Sequence, residues 1–262
     1  MPKGVPVFAQ VGNTNLIIAA WRGKWENHTR LAMPDSDDAD AWARVLNDVS
    51  AGDPISSLAT VTSRPTSACT DALERAARER GAETARLGRE IPLKMQCTYR
   101  DPKQLGMDRR LAAWSAATIA GKPCIVLDAG TYITCDAVNA KGVHLPIAIA
   151  PGLPIVLHGA GETAQHLTKY LRDAGWKANI VRGVGTRSTQ DGVTAGMCAF
   201  MGGTGQALIG MAREALGSAE AQVVFTGGDA TWLLAGHRGP VWTLPDLCLD
   251  GLRLLYDASR DE

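Results

Sequence analysis

The first thirty-odd positions alternate between short apolar runs and brief polar breaks. Residues 5–9 and 16–21 are apolar runs of strand length, and a third such run lies around 29–33. The turns between them are short, which predicts an antiparallel meander. From Pro34-Asp35-Ser36-Asp37-Asp38 the period changes, and Ala41, Trp42, Val45, Leu46 and Val49 recur at helical spacing. Ile55–Thr62 reads as a strand. Pro65-Thr66-Ser67 starts a charged helix over about 68–80, stopped by Gly81. Residues 82–107 carry no regular pattern. Residues 108–120 read as a helix ending at Gly121-Lys122-Pro123. Strands follow at 124–127, Tyr132–Val138 and 143–150, with Asn139-Ala140-Lys141-Gly142 as the turn between the last two. Beyond Pro151-Gly152 the pattern is helical over 153–174 and Thr189–Leu216. A short buried strand at 223–225 runs into Thr226-Gly227-Gly228, and a helix over 247–256 comes last.

The three-strand opening therefore occurs twice, at 5–33 and at 124–150, each time with a glycine turn after its first strand. This predicts two related α/β halves, residues 1–120 and 121–262, with a ligand cleft between them. Composition narrows the function. Lys+Arg and Asp+Glu each number 27 among 262 residues, so the formal charge is zero. That balance argues against a general nucleic-acid binder, which needs a basic surface. The six cysteines form no C-x-x-C pair, and the reading is reduced thiols rather than a disulfide framework or a zinc site. The histidines make no ligand pattern either. The N-terminal stretch lacks the apolar segment of a signal peptide, and no window has the ~18 apolar residues of a membrane span, so a cytoplasmic protein is expected.

Five stretches carry candidate chemistry. Gln10-Val11-Gly12-Asn13-Thr14-Asn15 and Asp128-Ala129-Gly130-Thr131 each place a glycine and a threonine in a turn between strands. Glycine admits a phosphate close to the backbone, and N–H groups and the hydroxyl then donate to its oxygens. Either turn alone is an ordinary hairpin; two at equivalent places point to a nucleotide. Asp128 has the chemistry to hold a cation or to orient the loop. Thr226-Gly227-Gly228 leaves room for a ring or a phosphate at a helix start. In Tyr99 to Arg110, Asp108 and Arg109 stand at a predicted helix start. They read either as dipole-compensating charges or as a general base with an anion-binding partner. Ser188 or Thr189 opens the 189–216 helix, as its cap or, for Thr189, as a substrate contact. Gly159-Ala160-Gly161 and Met201-Gly202-Gly203-Thr204-Gly205 look phosphate-binding, but neither follows a convincing strand; they read as helix-packing or loop glycines.

In order and spacing these motifs resemble the type III pantothenate kinases and the related Bvg accessory factor proteins. They belong to the acetate-kinase, sugar-kinase, Hsp70 and actin superfamily. The resemblance runs through Gly12-Asn13-Thr14, then Tyr99, Pro102, Leu105-Gly106 and Asp108-Arg109. It continues at Asp128-x-Gly130-Thr131, Pro151-Gly152, Thr189-x-x-x-Val193-x-x-Gly196, Thr226-Gly227-Gly228 and the stretch Pro245 to Leu255. It implies two ribonuclease H-like, actin-like ATPase halves with mixed sheets and a nucleotide cleft. It implies ATP-dependent phosphorylation of pantothenate, the first step towards coenzyme A. Asp108 is then the proton acceptor. Tyr99, Gly106, Met107, Arg109 and Thr189 bind pantothenate. Gln10, Gly12, Asn13, Thr14, Asn15, Gly130, Thr131, Gly227 and Gly228 bind ATP with Mg²⁺, Asp128 holds K⁺ or NH₄⁺, and the assembly is a homodimer. Three positions depart from the family pattern. Gln10 stands where an aspartate is usual, Leu145-Pro146 where a glycine pair is usual, and Arg110 where an aromatic is usual. Gln10 keeps a carbonyl acceptor and loses the charge, which predicts weaker metal and ATP binding. Pro146 demands an edge or irregular strand. The alternatives are a ligand-sensing accessory protein of this fold and a kinase of another small hydroxy acid.

Overall fold

The computed structural model describes residues 4–63, 67–164, 166, 170 and 187–260. The chain forms two compact units. One contains Met1–Met95, Arg100–Ser115 and Leu247–Glu262; the other contains Gln96–Tyr99 and Ala116–Asp246.

The first unit is built on a five-stranded sheet of β1 (Val5–Val11), β2 (Asn15–Trp21), β3 (Trp25–Ala32), β4 (Ile55–Thr62) and β5 (Glu83–Arg86), in the order β3-β2-β1-β4-β5. The first three strands form the expected antiparallel meander, and β4 and β5 add in parallel. Alternation along β1 places Val5, Val7, Ala9 and Val11 in a core with Leu16, Ile18, Leu58 and Leu73. Helices α1 (Ala39–Ser50) and α2 (Ala68–Arg78) close that core with Trp42, Leu46 and Val49 and with Ala72 and Ala76. Their starts follow from the sequence. Asp38 Oδ1 accepts from the N–H of Ala41 at 2.8 Å, and Ser67 Oγ from that of Thr70 at 3.2 Å, so each satisfies a helix N–H that has no intrahelical acceptor.

The second unit repeats the plan. Its strands are β6 (Cys124–Ala129), β7 (Tyr132–Val138), β8 (His144–Pro151), β9 (Gln222–Thr226) and β10 (Trp242–Thr243), in the order β10-β9-β6-β7-β8. Again the first three are antiparallel neighbours and the last two add in parallel. Helix α3 (Met107–Ile119) begins in the first unit and ends in the second, the division falling after Ser115. The second unit carries α4 (Leu153–Thr163), α5 (Thr189–Leu216) and α6 (Ala230–Leu234). Ile125, Leu127, Ile133 and Cys135 pack with Met201, Leu208 and Ile209 of α5 and with Trp232 and Leu233. Gly202 of α5 lies against the backbone of Gly236, where a Cβ would meet the Gly236 nitrogen at 2.8 Å. This is the packing role expected for that glycine run.

The structure differs from the sequence reading in four places. Residues 82–107 are not wholly irregular, since β5 and a 3₁₀ turn at Pro102–Gln104 lie there. β10 and α6 were also absent from the pattern, being only two and five residues long. The helix expected over 153–174 is described as Leu153–Thr163 and ends at Ala164; most of the remaining stretch falls outside the described residues. Finally, α7 (Leu247–Arg260) belongs to the first unit, not to the 121–262 half. The reason is its amphipathic face. Leu249, Leu252 and Tyr256 are buried, and Tyr256 meets Phe8 edge-on with ring centroids 5.7 Å apart. Phe8 points to the opposite face of β1 from Val7 and Ala9, so α7 covers the sheet face that α1 and α2 leave open. Pro146 lies where its chemistry allows. β8 is an edge strand, and its register against β7 shifts between Cys135 and Asp136, the residue facing Pro146. None of the six cysteines forms a disulfide, and four are buried.

Candidate active site

In the first unit the candidate groups gather where β1 and β4 end. Gln10 is half-buried, opposite Ile17 of β2 and Val61 of β4. The chain then turns. The Gly12 N–H donates to the Asn15 carbonyl at 3.0 Å, and Asn15 Nδ2 donates to Thr14 Oγ1 at 3.0 Å. Asn13 and Thr14 are exposed at the tip. Beside this turn, β4 runs out into Ser63, whose N–H donates to the Val11 carbonyl at 3.2 Å.

Asp108 is brought to the same place by α3. It stands in the first helical turn, where a carboxylate is favoured by the helix dipole and by unpaired N–H groups. Its Oδ1 accepts from the Arg109 N–H at 2.8 Å, and its Oδ2 accepts from Ser63 Oγ at 2.6 Å. Gly106 makes room for it, since a Cβ there would lie 2.5 Å from Asp108 Oδ1. The two readings of Asp108 are thus compatible. It serves the helix start and is also a half-buried carboxylate held by two donors. Of the other expected acceptor-side residues, Met107 reaches Gly88, where its Cε lies 2.7 Å from an added Cβ. Arg110, the departure beside Arg109, donates from Nη2 to the Met95 carbonyl at 3.1 Å. Tyr99 is 39% exposed and groups with the second unit. Thr189 is the exposed first residue of α5, and the cap is Ser188, whose Oγ accepts from the Asp191 N–H at 3.1 Å.

In the second unit three stretches far apart in sequence converge at the end of β6. Asp128 and Thr226 are register partners on β6 and β9. The Gly130 N–H donates to the Tyr132 carbonyl at 3.1 Å, the Gly152 N–H to the Thr131 carbonyl at 3.0 Å, and the Asp229 N–H to the Ala129 carbonyl at 3.0 Å. Gly227 has φ +88°, and a Cβ there would come 2.4 Å from the Ala129 carbonyl oxygen and 2.5 Å from Asp128 Oδ1. Only glycine fits that conformation and that approach. Asp128, the Asp128–Thr131 turn, Pro151-Gly152 and Thr226-Gly227 are therefore one local assembly. Asp128 Oδ1 and the Ala129 carbonyl are neighbouring hard oxygen donors, a set suited to an alkali or alkaline-earth cation rather than a soft one. Among the described residues, no three His, Cys, Asp or Glu side chains are grouped as a metal cluster.

Sequence reasoning missed Ser63. Its signal was available: a serine directly after a strand, beside the strand that ends in the Gly12 turn. Nothing in the chain's local pattern tied it to Asp108, which lies 45 residues further on.

Comparison with known proteins bears on the family and the fold. Residues 7–210 match the family model for type III pantothenate kinase. A type III pantothenate kinase from Pseudomonas aeruginosa is 35% identical over 161 residues, which are 60% of this chain and 61% of that protein. The match therefore spans less than two thirds of that relative's length. A type III pantothenate kinase from Acidiphilium cryptum is 31% identical over 253 residues, 93% of this chain and 91% of that one. Among solved structures, a conserved protein assigned by inference to the Baf family of transcriptional activators, from Campylobacter jejuni, superposes with a TM-score of 0.60. It is 16% identical, with 98% of this chain and 100% of that one covered. A ROK family glucokinase from Streptomyces griseus, in complex with glucose and AMPPNP, superposes with a TM-score of 0.54 at 11% identity, covering 99% and 100%. At such identities the two structures speak to fold alone: the chain shares their fold. The family match over most of the chain and the Acidiphilium alignment over nearly all of it decide the family: the chain belongs to the type III pantothenate kinases.

Proposed function

We propose that the protein phosphorylates the terminal hydroxyl of pantothenate with ATP, giving 4'-phosphopantothenate and ADP, the first step towards coenzyme A. The observation that carries this reading is the Asp108 carboxylate. It is held at 2.6 and 2.8 Å by Ser63 and the Arg109 N–H, beside the Gly12-Asn13-Thr14 turn, in a chain of this family.

Phosphoryl transfer asks for positioning and charge neutralisation more than for covalent chemistry. The pantothenate hydroxyl oxygen attacks the γ-phosphorus, the bond from that phosphorus to the bridging oxygen of ADP breaks, and the hydroxyl proton passes to Asp108. Arg109 pairs with the pantothenate carboxylate, and Tyr99, Gly106, Met107 and Thr189 line the acceptor. On the donor side, the Gly12-Asn13-Thr14-Asn15 turn and the Gly130-Thr131 turn take the phosphates, and Gly227-Gly228 leave space for the nucleoside. Mg²⁺ travels with ATP and neutralises phosphate charge when bound. Gln10 offers it an amide oxygen without charge. Asp128 with the Ala129 carbonyl would hold the monovalent cation. A cytoplasmic homodimer completes the reading.

The test is an ADP-release assay with ATP, Mg²⁺ and K⁺, run with and without pantothenate, with the product identified by mass spectrometry. Pantothenate-dependent ADP together with 4'-phosphopantothenate supports the proposal. ADP release dependent on another hydroxy acid would move the substrate. No turnover across Mg²⁺, Mn²⁺ and high ATP would favour a ligand-sensing role.

A further inference from the structure

We infer that Ser63 is a positioning residue for Asp108, and that it ties the base to the turn proposed to bind the phosphates. The inference rests on the reading of Asp108 as proton acceptor. Ser63 makes two hydrogen bonds, one through its backbone and one through its side chain. Its backbone N–H is spent on the Val11 carbonyl at 3.2 Å, one residue before Gly12. Its hydroxyl donates to Asp108 Oδ2 at 2.6 Å. One residue therefore fixes the end of β1 and one oxygen of the carboxylate. The other oxygen is fixed by the Arg109 N–H, and Gly106 leaves no side chain in the way.

The arrangement has a chemical consequence. A carboxylate that must meet a hydroxyl has several rotamers and turns easily about its own bond. Two donors from different directions remove that freedom before substrate arrives, which is the positioning that phosphoryl transfer depends on. The serine proton goes to the carboxylate, so Ser63 cannot itself be the base while that bond exists. Its part is to orient, and proton transfer falls to Asp108.

A four-variant comparison tests this: the parent enzyme, Ser63→Ala, Asp108→Asn and the double variant, with Ser63→Thr as the variant that keeps a hydroxyl. Each is checked by circular dichroism and thermal melting, and each is titrated with ATP. Ser63→Ala is expected to lower kcat by about 10- to 100-fold, the factor for a hydrogen bond to a charged group. The dissociation constant for ATP should change less than about threefold, well inside that factor. Ser63→Thr should recover most of the loss. In the Asp108→Asn background, Ser63→Ala should cost little more, because the group it acts through has gone. Multiplicative losses in the double variant, or a Ser63→Ala enzyme with the parent kcat, would overturn the inference while leaving Asp108 as the base. Parent-like turnover in Asp108→Asn would instead overturn the reading of Asp108 beneath it. If Ser63→Ala does not fold, failure of Ser63→Thr to restore kcat at parent-like stability and ATP affinity would count against the inference.

Discussion

At the scale of single residues, the side of the site proposed to take pantothenate carries a carboxylate, Asp108, and the strand end proposed to take ATP carries an amide, Gln10. Asp108 retains a carboxylate with both oxygens engaged. Replacing it with asparagine removes the proposed proton acceptor and keeps the shape. A general base of this kind contributes about 10²–10⁴-fold, and Asp108→Asn should lose kcat in that range while still binding ATP; a coupled ADP assay with an ATP titration measures both. Gln10 is the converse case. It lies half-buried in β1, two residues before Gly12, with an amide where the family resemblance leads one to expect a carboxylate. Hard cations prefer carboxylate oxygens, so Gln10→Asp should lower the Mg²⁺ concentration needed for half-maximal rate. An unchanged Mg²⁺ dependence would remove the charge at position 10 as the cause of any weak metal use. Asp108, Asp128 and the glycine turns stood out in the sequence because the roles proposed for them are suggested by residue type within a few neighbours. Ser63 did not, because its role depends on α3 bringing in a partner from a distant stretch.

At the scale of elements, strands with apolar alternation and helices with capping residues were readable, and β5 shows why some were not. Of its four residues only Ala85 is apolar, and the one fully buried side chain among them is a charged arginine, Arg86. Periodicity reads Arg86 as surface. What holds it inside is tertiary. Arg86 Nε and Nη2 donate to Glu74 Oε1 and Oε2, each at 2.8 Å, and Nη2 also donates to Asp71. Thr60 of β4 donates to the same Glu74 Oε1 at 2.7 Å. β5 is thus fastened to α2 and β4 by a buried, two-pronged ion pair. Removing one partner strands the other charge, which typically costs about 3–5 kcal/mol. Arg86→Ala should lower unfolding stability by that order in urea titration. Replacing both Arg86 and Glu74 with methionine should recover much of it, since an apolar pair leaves no buried charge uncompensated. A single-variant loss below about 1 kcal/mol would mean the pair contributes no more than a surface one.

At the scale of the whole molecule, the repeated five-stranded plan was visible as a repeated three-strand opening, but the path of the chain was not. Pattern alone assigned everything after residue 120 to one half. The last helix returns to the first unit because β1 has two apolar faces, and α1 and α2 cover only one of them. Phe8 lies between Trp25, at 5.5 Å and 79°, and Tyr256, at 5.7 Å and 85°, both edge-on. Trp25 Nε1 donates to Asp250 Oδ1 at 2.8 Å, so the helix is fixed by a polar bond as well as by ring contacts. A strand buried on both faces reads as a continuous apolar run, and such a run does not say which distant segment covers each face. The consequence is testable. Tyr256→Ala should destabilise the protein by about 3–5 kcal/mol, as for other large-to-small aromatic substitutions in a core. It should also raise amide exchange in β1 and β4. Phe200→Ala, at a position on α5 that is 47% exposed, should stay within about 0.5 kcal/mol. Equal effects from the two would mean that α7 is an appendage, and that the sheet of the first unit is complete without it.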